Sequence, residues 1–512
     1  MSKPLWILVI AGVVLQSCAG GKSSFNPDKK YSLPEIQKDY SVFQNSLEEF
    51  HPGLYWYSSK DSMDYFFRQG KAQLKDSMAE PEFRKILTFI AAKIDCGHTS
   101  VRPSKKYSRY LDNFHGKIFP LSMKSWPAEN SFNPDTMAVV VNLIHQDSIL
   151  KRGTVIKRIN GLSSDCIIDS LFNYISADGH NRTAKFQSLS NRGSFGSLYT
   201  LVFGMSDKYK VDYIDSVGQV RSDIVPVYNP TTDSGFRFLL KPVARLPRHN
   251  QKERKKEQLP FVRSLKIDST NQAAFMDVNS FGRGYRLKKF FRRSFHSIKK
   301  TNVKYLVIDV RGNGGGSVTN STFISRYIAD RRFKVADSLY AITRKNNYGR
   351  YIENNFWNHL FLLFFTRKKT DGHYHFSYYE RHWFIPKKNN HFTGKTFVLM
   401  GGNSFSATTL FIDAINKQKN VITVGEETGG GAYGNTAWLI PDVTLPNTKI
   451  RFRLPLFRLV IDKNIPKNGL GVQPKIFALP TTAAIRRNED YKLNRVMELI
   501  REDKEKSGDN RH

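Results

Sequence analysis

Residues 396–431 constrain the fold of this chain more than any other stretch. They begin with a short apolar run of β-favouring residues and a glycine turn at Gly401, and an amphipathic helix is predicted to open at residue 404 or 405. Apolar side chains recur along that helix every three or four residues, and 421–424 is typical of a second buried strand. The order strand, helix, strand predicts a βαβ unit and therefore a parallel α/β sheet.

Ser406 falls in the first turn of this predicted helix, where backbone N–H groups lack partners within the helix. A serine hydroxyl there can attack a carbonyl carbon while neighbouring N–H groups bind the oxyanion that forms. The alternative is a helix cap, the usual role of a serine at such a junction. Ser404 keeps the capping role in either case.

A second glycine-rich turn follows another predicted strand, 303–310, and precedes a helix that is expected to start near Val318. Three consecutive glycines suit a place where backbone must approach a ligand closely. In a parallel sheet, turns at the carboxyl ends of strands line one crevice, so both turns could face one bound peptide. A phosphate cradle is the alternative, but the stretch lacks the Gly-Lys-Ser/Thr ending of a P-loop.

Three motifs in this order resemble the tail-specific (C-terminal processing) serine peptidases: 309–316 (DVRGNGGG), 403–407 (NSFSA) and 425–430 (GEETGG). The resemblance implies a multidomain α/β protein whose peptidase core is similar to the Clp-protease and crotonase fold. It also implies Ser406 as the nucleophile. The oxyanion hole would combine the N–H of Ala407 with an N–H from the Gly314–Gly315 turn.

The general base depends on which branch of that family the chain resembles. One branch uses a lysine about 25 residues after the serine, but residue 431 is Gly, and 425–434 contains no lysine. The tricorn-like branch takes a histidine from the segment before its PDZ-like domain, which implies His98 as the base. That branch also has a late carboxylate, for which Asp462 is the candidate. The family's acid after Gly-Val-x-Pro is replaced here by Lys475.

A Cys96–His98 pair is a weaker alternative, because side chains two residues apart point to different sides. Beyond Cys18, the sequence contains only Cys96 and Cys166, which is no disulfide framework. Cys-x-x-Cys spacing is absent as well. The sequence therefore predicts neither a metal nor another cofactor.

The amino terminus has the pattern of a bacterial lipoprotein signal, 1–18. A short basic start and an apolar run end in Leu-Gln-Ser before Cys18, which would carry the lipid. A plain cleaved signal with an incidental cysteine is the alternative. Residues 19–30 would form a polar tether, and the protein would be lipid-anchored to the cell envelope, at the periplasmic face or outer membrane.

The rest of the chain divides into predicted domains by its hydrophobic pattern. An aromatic and basic insertion, 340–395, separates the two glycine turns and is a candidate lid, membrane-leaning surface or buried hairpin. The predicted domains are an N-terminal helical domain, 31–115; a PDZ-like module or plain β-rich spacer, 117–190; a β-rich connection of unassigned role, 191–268; a peptidase domain, 270–490; and a charged C-terminal tail, 491–512, frayed beyond residue 500.

The net charge is +34, from 79 basic and 45 acidic residues. For an exported protein this argues against nucleic acid, and indicates either a solvated basic face or contact with anionic membrane or envelope polymers. The main prediction is an envelope serine peptidase that cleaves peptides or unfolded protein ends. The alternatives are a catalytically inactive peptide-binding lipoprotein with the same fold and a polymer-binding protein.

Overall fold

The computed structural model of the protein describes residues 25–114, 116–127, 136–144, 147–232 and 251–508. The predicted signal segment 1–18 with its Cys18, and residues 19–24 of the tether, lie outside the described residues.

The described N-terminal part contains four helices and three two-residue strands. The first helix begins with a capping box in which the Glu35 carboxylate accepts the Ser32 N–H at 2.9 Å, with Pro34 in the first turn. Buried Asp39 ties this helix to residues 447–448 by accepting their backbone N–H groups. The elements are β1 Lys30–Tyr31, α1 Leu33–Phe50, α2 Lys60–Ala72, β2 Met78–Ala79, α3 Glu80–Lys93, β3 Val101–Arg102 and α4 Lys105–Asp112.

The second module has its own hydrophobic core, which includes Phe119, Ile156 and Val225. Strand β8 pairs with β6, and an isolated bridge joins Ile118 to Tyr228, so the module continues past its predicted end at 190. Much of the predicted connection 191–268 therefore belongs to this module. Its elements are β4 Leu121–Trp126, β5 Thr136–Asn142, β6 Ile156–Ile159, β7 Leu162–Ser163, α5 Ser164–Phe172, α6 Arg182–Ser190, α7 Ser194–Phe203, β8 Lys208–Ile214 and β9 Val220–Pro226.

The third part contains the predicted βαβ unit and the insertion. Its elements are α8 Gln251–Glu257, α9 Leu259–Val262, β10 Arg263–Asp268, β11 Ala273–Val278, α10 Leu287–Thr301, β12 Tyr305–Asp309, α11 Val318–Ser325, β13 Ser338–Ala341, α12 Asn355–Phe365, β14 Arg367–Lys368, β15 Tyr374–His375, α13 Ser377–Arg381, β16 Lys395–Met400, α14 Ala407–Asn416, β17 Val421–Gly425, β18 Gly434–Asn435, β19 Asp442–Thr444, β20 Arg451–Arg453, β21 Arg458–Val460, β22 Ile476–Phe477, α15 Thr482–Arg487 and α16 Tyr491–Lys506.

A six-stranded sheet, in the order β10-β11-β12-β16-β17-β22, positions the glycine turns. From β11 to β22 all neighbours are parallel, which confirms the predicted β16–α14–β17 unit. Strand β10 is antiparallel to β11, so the sheet begins at Arg263, before the predicted domain start at 270. A second sheet, in the order β14-β15-β13-β21-β18, carries part of the insertion.

The expectation of a frayed C-terminal tail is wrong for the described residues. Helix α16 runs to Lys506, and its Val496 and Ile500 are fully buried in a cluster with sheet residues such as Val307 and Leu399. Apolar and charged residues alternate in this segment so that the helix is amphipathic, with one apolar face against the sheet. The prediction considered only the high charge of the segment. Among the described residues, no helix has both the length and the apolar character that a bilayer span requires.

Candidate active site

The two glycine-rich turns meet at the carboxyl edge of the parallel sheet, as predicted. Their strands β12 and β16 are adjacent, with Asp309 opposite Leu399. The Phe405 N–H donates to the Asn313 carbonyl at 3.1 Å, and the Ser404 hydroxyl donates to the Val310 carbonyl at 2.8 Å. These bonds fix the serine-bearing turn against the first turn.

Ser406 has a strained backbone at the junction of that turn with α14. Its φ of 58° and ψ of −118° lie in a region that non-glycine residues rarely adopt and that costs of order 1–3 kcal/mol. The helix begins at Ala407, later than predicted, and the Ser406 side chain caps none of its N–H groups in the described structure. The geometry therefore disfavours the capping alternative.

Ser404 is not the helix cap that the sequence predicted. Its hydroxyl is buried, accepts the Gly401 N–H at 3.2 Å and donates to the first turn. Its role is to hold the turn closed, because both hydrogen bonds join backbone segments that precede the helix.

Of the predicted oxyanion-hole residues, Gly315 and Ala407 lie against Ser406. A Cβ built on Gly315 would come within 2.8 Å of the Ser406 Cβ and 3.0 Å of the Ala407 nitrogen. The Gly315 N–H donates to Asn313 Oδ1 at 2.9 Å, whereas a Cβ on Gly314 would face open space. Ala407 is the first residue of α14, where N–H groups point out of the helix. The roles assigned to Gly314, Gly315 and Ala407 stay predictions.

A cavity of about 940 Å³ opens at Ser406. One wall is the start of α11, from Gly316 to Thr319, and another is the residue pair Trp438 and Leu439. Five aromatic side chains of the insertion also line the cavity: Phe361, Phe365, Phe376, Tyr378 and Tyr379. The insertion thus borders the space next to Ser406.

Asn435 was missed by the sequence analysis. Its side chain is 2% exposed, lines the same cavity, and neither of its amide atoms has a hydrogen-bond partner among the described residues. An unpartnered buried amide is costly, and here it faces a space that a peptide backbone could fill. No spacing pattern around residues 434–436 distinguishes it in the sequence.

His98 lies in the segment that follows α3, next to the residue preceding the serine. Its ring packs on the Phe405 ring with centroids 4.5 Å apart, and neither ring nitrogen has a partner among the described residues. Burial, together with Arg453 and His51, lowers the pKa of His98 to about 3. The imidazole is therefore neutral at physiological pH, and its surroundings disfavour the protonated ring. The described structure contains no hydrogen bond from it to Ser406.

Asp178 is a second residue that the sequence analysis missed. Its buried carboxylate accepts the Gly97 N–H at 2.8 Å and the Gly431 N–H at 3.2 Å. Burial raises the pKa of Asp178 to about 6. This carboxylate ties the segment before His98 to the glycine run after β17. Nothing in the sequence spacing indicates this link, because the partners are far apart in the chain.

The structure does not bring Asp462 to the serine. Its carboxylate accepts from Lys417 Nζ at 2.7 Å, and Lys417 directly follows α14. Ser406 stands at the other end of this ten-residue helix, about 15 Å away at 1.5 Å per residue. The predicted catalytic role of Asp462 is therefore corrected to an ion pair at the far end of the helix.

Cys96 is buried and bonded to neighbouring hydroxyls, with its Sγ 2.5 Å from Thr436 Oγ1 and 3.2 Å from Thr99 Oγ1. Burial raises the pKa of its thiol, which disfavours the nucleophilic thiolate. Cys96 and Cys166 are free thiols. The described residues hold no cluster of His, Cys, Asp and Glu that could bind a metal ion.

The candidate site lies in a part of the chain that matches a known protein family. Residues 272–476 match the model of peptidase family S41, and this region includes both glycine turns and Ser406. No curated protein matches the chain. The solved structure of mature CPAF complexed with lactacystin is similar, with 14% identity, a TM-score of 0.59 and coverage of 91% of this chain and 98% of that chain. A second structure of mature CPAF has 16% identity, a TM-score of 0.59 and coverage of 92% and 98%. At such identities the likeness shows the fold alone.

Proposed function

We propose that this protein is a serine peptidase of the tail-specific type, which hydrolyses peptide bonds in peptides or in unfolded and C-terminal protein segments. The observation that carries the proposal is Ser406, held with strained backbone angles at a strand–helix turn and opening into a cavity. Strain of this kind persists at functional sites because the surrounding structure enforces it. The match of residues 272–476 to a peptidase family supports the same function.

In the proposed mechanism, the Ser406 Oγ attacks the carbonyl carbon of the substrate peptide bond. His98 accepts the hydroxyl proton and returns it to the leaving amine, and a water molecule then hydrolyses the acyl-enzyme by the same route. The Ala407 N–H and an N–H of the Gly314–Gly315 turn bind the oxyanion. Because His98 packs on Phe405 and has no bond to Ser406 in this structure, proton transfer requires one of these side chains to move.

The substrate side of the proposal follows from the cavity lining. Aromatic residues of the insertion and Trp438 favour an apolar side chain next to the cleaved bond, and Asn435 is placed to hydrogen-bond the peptide backbone. The second module would present an extended peptide by strand addition, as a PDZ-like groove does. We also propose that the chain is exported and anchored through a lipid on Cys18, on the basis of the signal pattern in 1–18.

The test incubates the full chain carrying Cys18→Ser with an unstructured protein and follows the fragments by mass spectrometry. The parent is expected to cleave, while Ser406→Ala and His98→Ala lose cleavage by about 100-fold or more. Ser317→Ala is the matched control, because its hydroxyl lines the same cavity but bonds to Thr319 Oγ1. A fluorophosphonate probe should label the parent and fail to label Ser406→Ala.

The alternative is a catalytically inactive peptide-binding protein with the same fold. It is favoured by two observations: the Gly315 N–H already has an acceptor, and His98 makes no bond to Ser406. It predicts peptide binding by the parent and by Ser406→Ala alike, with no cleavage and no labelling. Cleavage that persists in His98→Ala but not in Ser406→Ala would support Ser406 as the nucleophile and contradict His98 as the general base.

A further inference from the structure

Helix α12 of the insertion exposes large apolar side chains in one continuous stripe. At 100° per residue, five of its eleven residues fall within about 120° of one another around the helix axis. Four of them are largely exposed, and Leu360 is half-buried between them. The members of this apolar stripe are Phe356 (65% exposed), Trp357 (69%), Leu360, Leu363 (41%) and Phe364 (76%).

The side of α12 that carries Phe361 and Leu362 is fixed to the protein. Leu362 is buried, and Phe361 stacks edge-on against Phe376 and against Phe457. Thr366, just past the helix end, bonds back to the Leu362 carbonyl and is bonded by Arg344. The stripe therefore cannot turn inward without breaking these contacts. It leaves apolar side chains on the outer face of the helix, where polar residues are usual.

Basic residues border the apolar stripe at both ends. Residues 344–369 contain six Lys or Arg side chains and one acidic residue, Glu353. Arg350 stands exposed before the helix, and Arg367 and Lys368 stand exposed directly after it. Aromatic and leucine side chains flanked by Lys and Arg are the composition that inserts into the headgroup layer of anionic membranes.

The described amino terminus lies on the same side of the protein as the start of α12. One surface cavity is lined by Arg350 and Glu353, another by Phe25 and Lys29, and the two share lining residues. The shared residues are Lys105, Thr444, Lys449 and Arg451. Cys18 precedes Phe25 by seven residues, a reach of about 24 Å in extended chain, so an anchor there would hold this face near a bilayer.

We propose that the apolar stripe of α12 inserts into the headgroup region of an anionic phospholipid bilayer, with Arg350, Arg367 and Lys368 against the lipid phosphates. Phe361 and Phe365 of the same helix line the cavity at Ser406, so membrane contact places the mouth of that cavity close to the bilayer surface. The interaction itself requires neither peptidase activity nor the lipid anchor.

The test uses the full chain carrying Cys18→Ser and vesicles of equal parts phosphatidylglycerol and phosphatidylcholine that contain brominated acyl chains. Bromine quenches tryptophan fluorescence only at short range, so Trp357 should be quenched. The difference between the parent and Trp357→Phe, which keeps an aromatic ring, isolates the signal of this one residue. Equal quenching in the parent and in Trp357→Phe would overturn the proposal. This holds even if the chain binds the vesicles through other segments.

A binding comparison tests the energetic role of the apolar stripe. Phe356→Ser, Trp357→Ser and Phe364→Ser together should weaken vesicle binding at least about tenfold, because three exposed apolar groups lose their insertion. The matched control substitutes serine for three equally exposed apolar residues elsewhere: Val217 (75% exposed), Phe261 (79%) and Phe477 (59%). Equal weakening by the control and the α12 variant would overturn the proposal.

Two further outcomes separate a membrane from a protein partner. Binding should fall with added salt and on vesicles of phosphatidylcholine alone, since the flanking charges act through anionic lipid. Light scattering should give the same mass for the parent and the triple α12 variant. A parent that is dimeric while the variant is monomeric would reassign the stripe to a contact between two copies of the chain and overturn the proposal.

Discussion

Gly315→Ala tests whether close contact between the two glycine turns supports the function of Ser406. Gly315 has a φ of 96°, which an alanine adopts at a cost of roughly 1 kcal/mol. The added Cβ would lie 2.7 Å from the Phe405 carbonyl oxygen and 2.8 Å from the Ser406 Cβ, where ordinary contact begins at 3.4 Å. The neighbouring turn must therefore move by several tenths of an ångström, because backbone atoms cannot rotate away.

This contact adds an overpacking cost of about 1–3 kcal/mol, so the total loss of unfolding free energy is expected at about 2–4 kcal/mol. Displacement of a nucleophile by up to 1 Å reduces rates by up to about 100-fold. The assays are denaturant unfolding, and both substrate cleavage and fluorophosphonate labelling of the folded variant.

Gly372→Ala is the control for backbone strain alone. Its φ of 81° is similar, but a Cβ there would meet nothing within 4 Å. It should lose about 1 kcal/mol of stability and keep its labelling rate. A folded Gly315→Ala protein that labels and cleaves like the parent would refute the reasoning that the two turns form one site.

Three further predictions follow from ionisable groups that are buried or partly buried. Because the pKa of His98 is lowered to about 3, kcat/KM should show no acidic limb near pH 6.5, and a limb there contradicts His98 as a buried neutral base. Burial and the nearby Asp462 and Asp337 raise the pKa of Asp413 to about 6. Between about pH 4 and pH 6 the native state therefore holds a proton that the unfolded chain has released, so the free energy of unfolding falls as pH rises through this window. Asp413→Asn should remove that fall and be more stable than the parent at pH 8 by up to about 3 kcal/mol in denaturant unfolding, and an unchanged pH dependence contradicts this. Asp39→Ala leaves the buried Thr448 N–H and hydroxyl without their acceptor, and should reduce the unfolding free energy by about 3 kcal/mol or more. Asp39→Asn keeps one acceptor oxygen, so its unfolding free energy should fall by less.

The sequence predicted the parts of the fold that depend on local pattern. The strands around residues 305–309, 395–400 and 421–425 follow from their apolar runs, and parallel pairing follows from the helix between them. That both glycine turns meet at one edge of the sheet also follows, since the carboxyl ends of parallel strands share that edge. These steps place Ser406 and Gly315 together without any knowledge of side-chain contacts.

Long-range contacts account for the errors. Asp462 was assigned by its distance along the sequence, but strand β21 carries it to the far end of α14, where Lys417 binds it. The predicted module boundary at 190 is wrong because β8 returns to pair with β6 across three intervening helices, α5, α6 and α7. Asn435 and Asp178 carry no local pattern, so only burial in the folded chain distinguishes them.

The candidate site requires more of the chain than the region that matches a peptidase family. Residues 272–476 supply Ser406 and both glycine turns, but His98 comes from the N-terminal part and Asp178 from the second module. Asp178 bonds to Gly97 on one side and Gly431 on the other, so it joins all three parts of the protein at the site. Asp178→Ala should therefore release the segment before His98, reduce cleavage and leave the Ser406 turn intact, because Ser404 and Asn313 hold that turn independently. Fluorophosphonate labelling that falls less than peptide cleavage is the expected result, and equal loss of both would show that Asp178 supports the Ser406 turn itself.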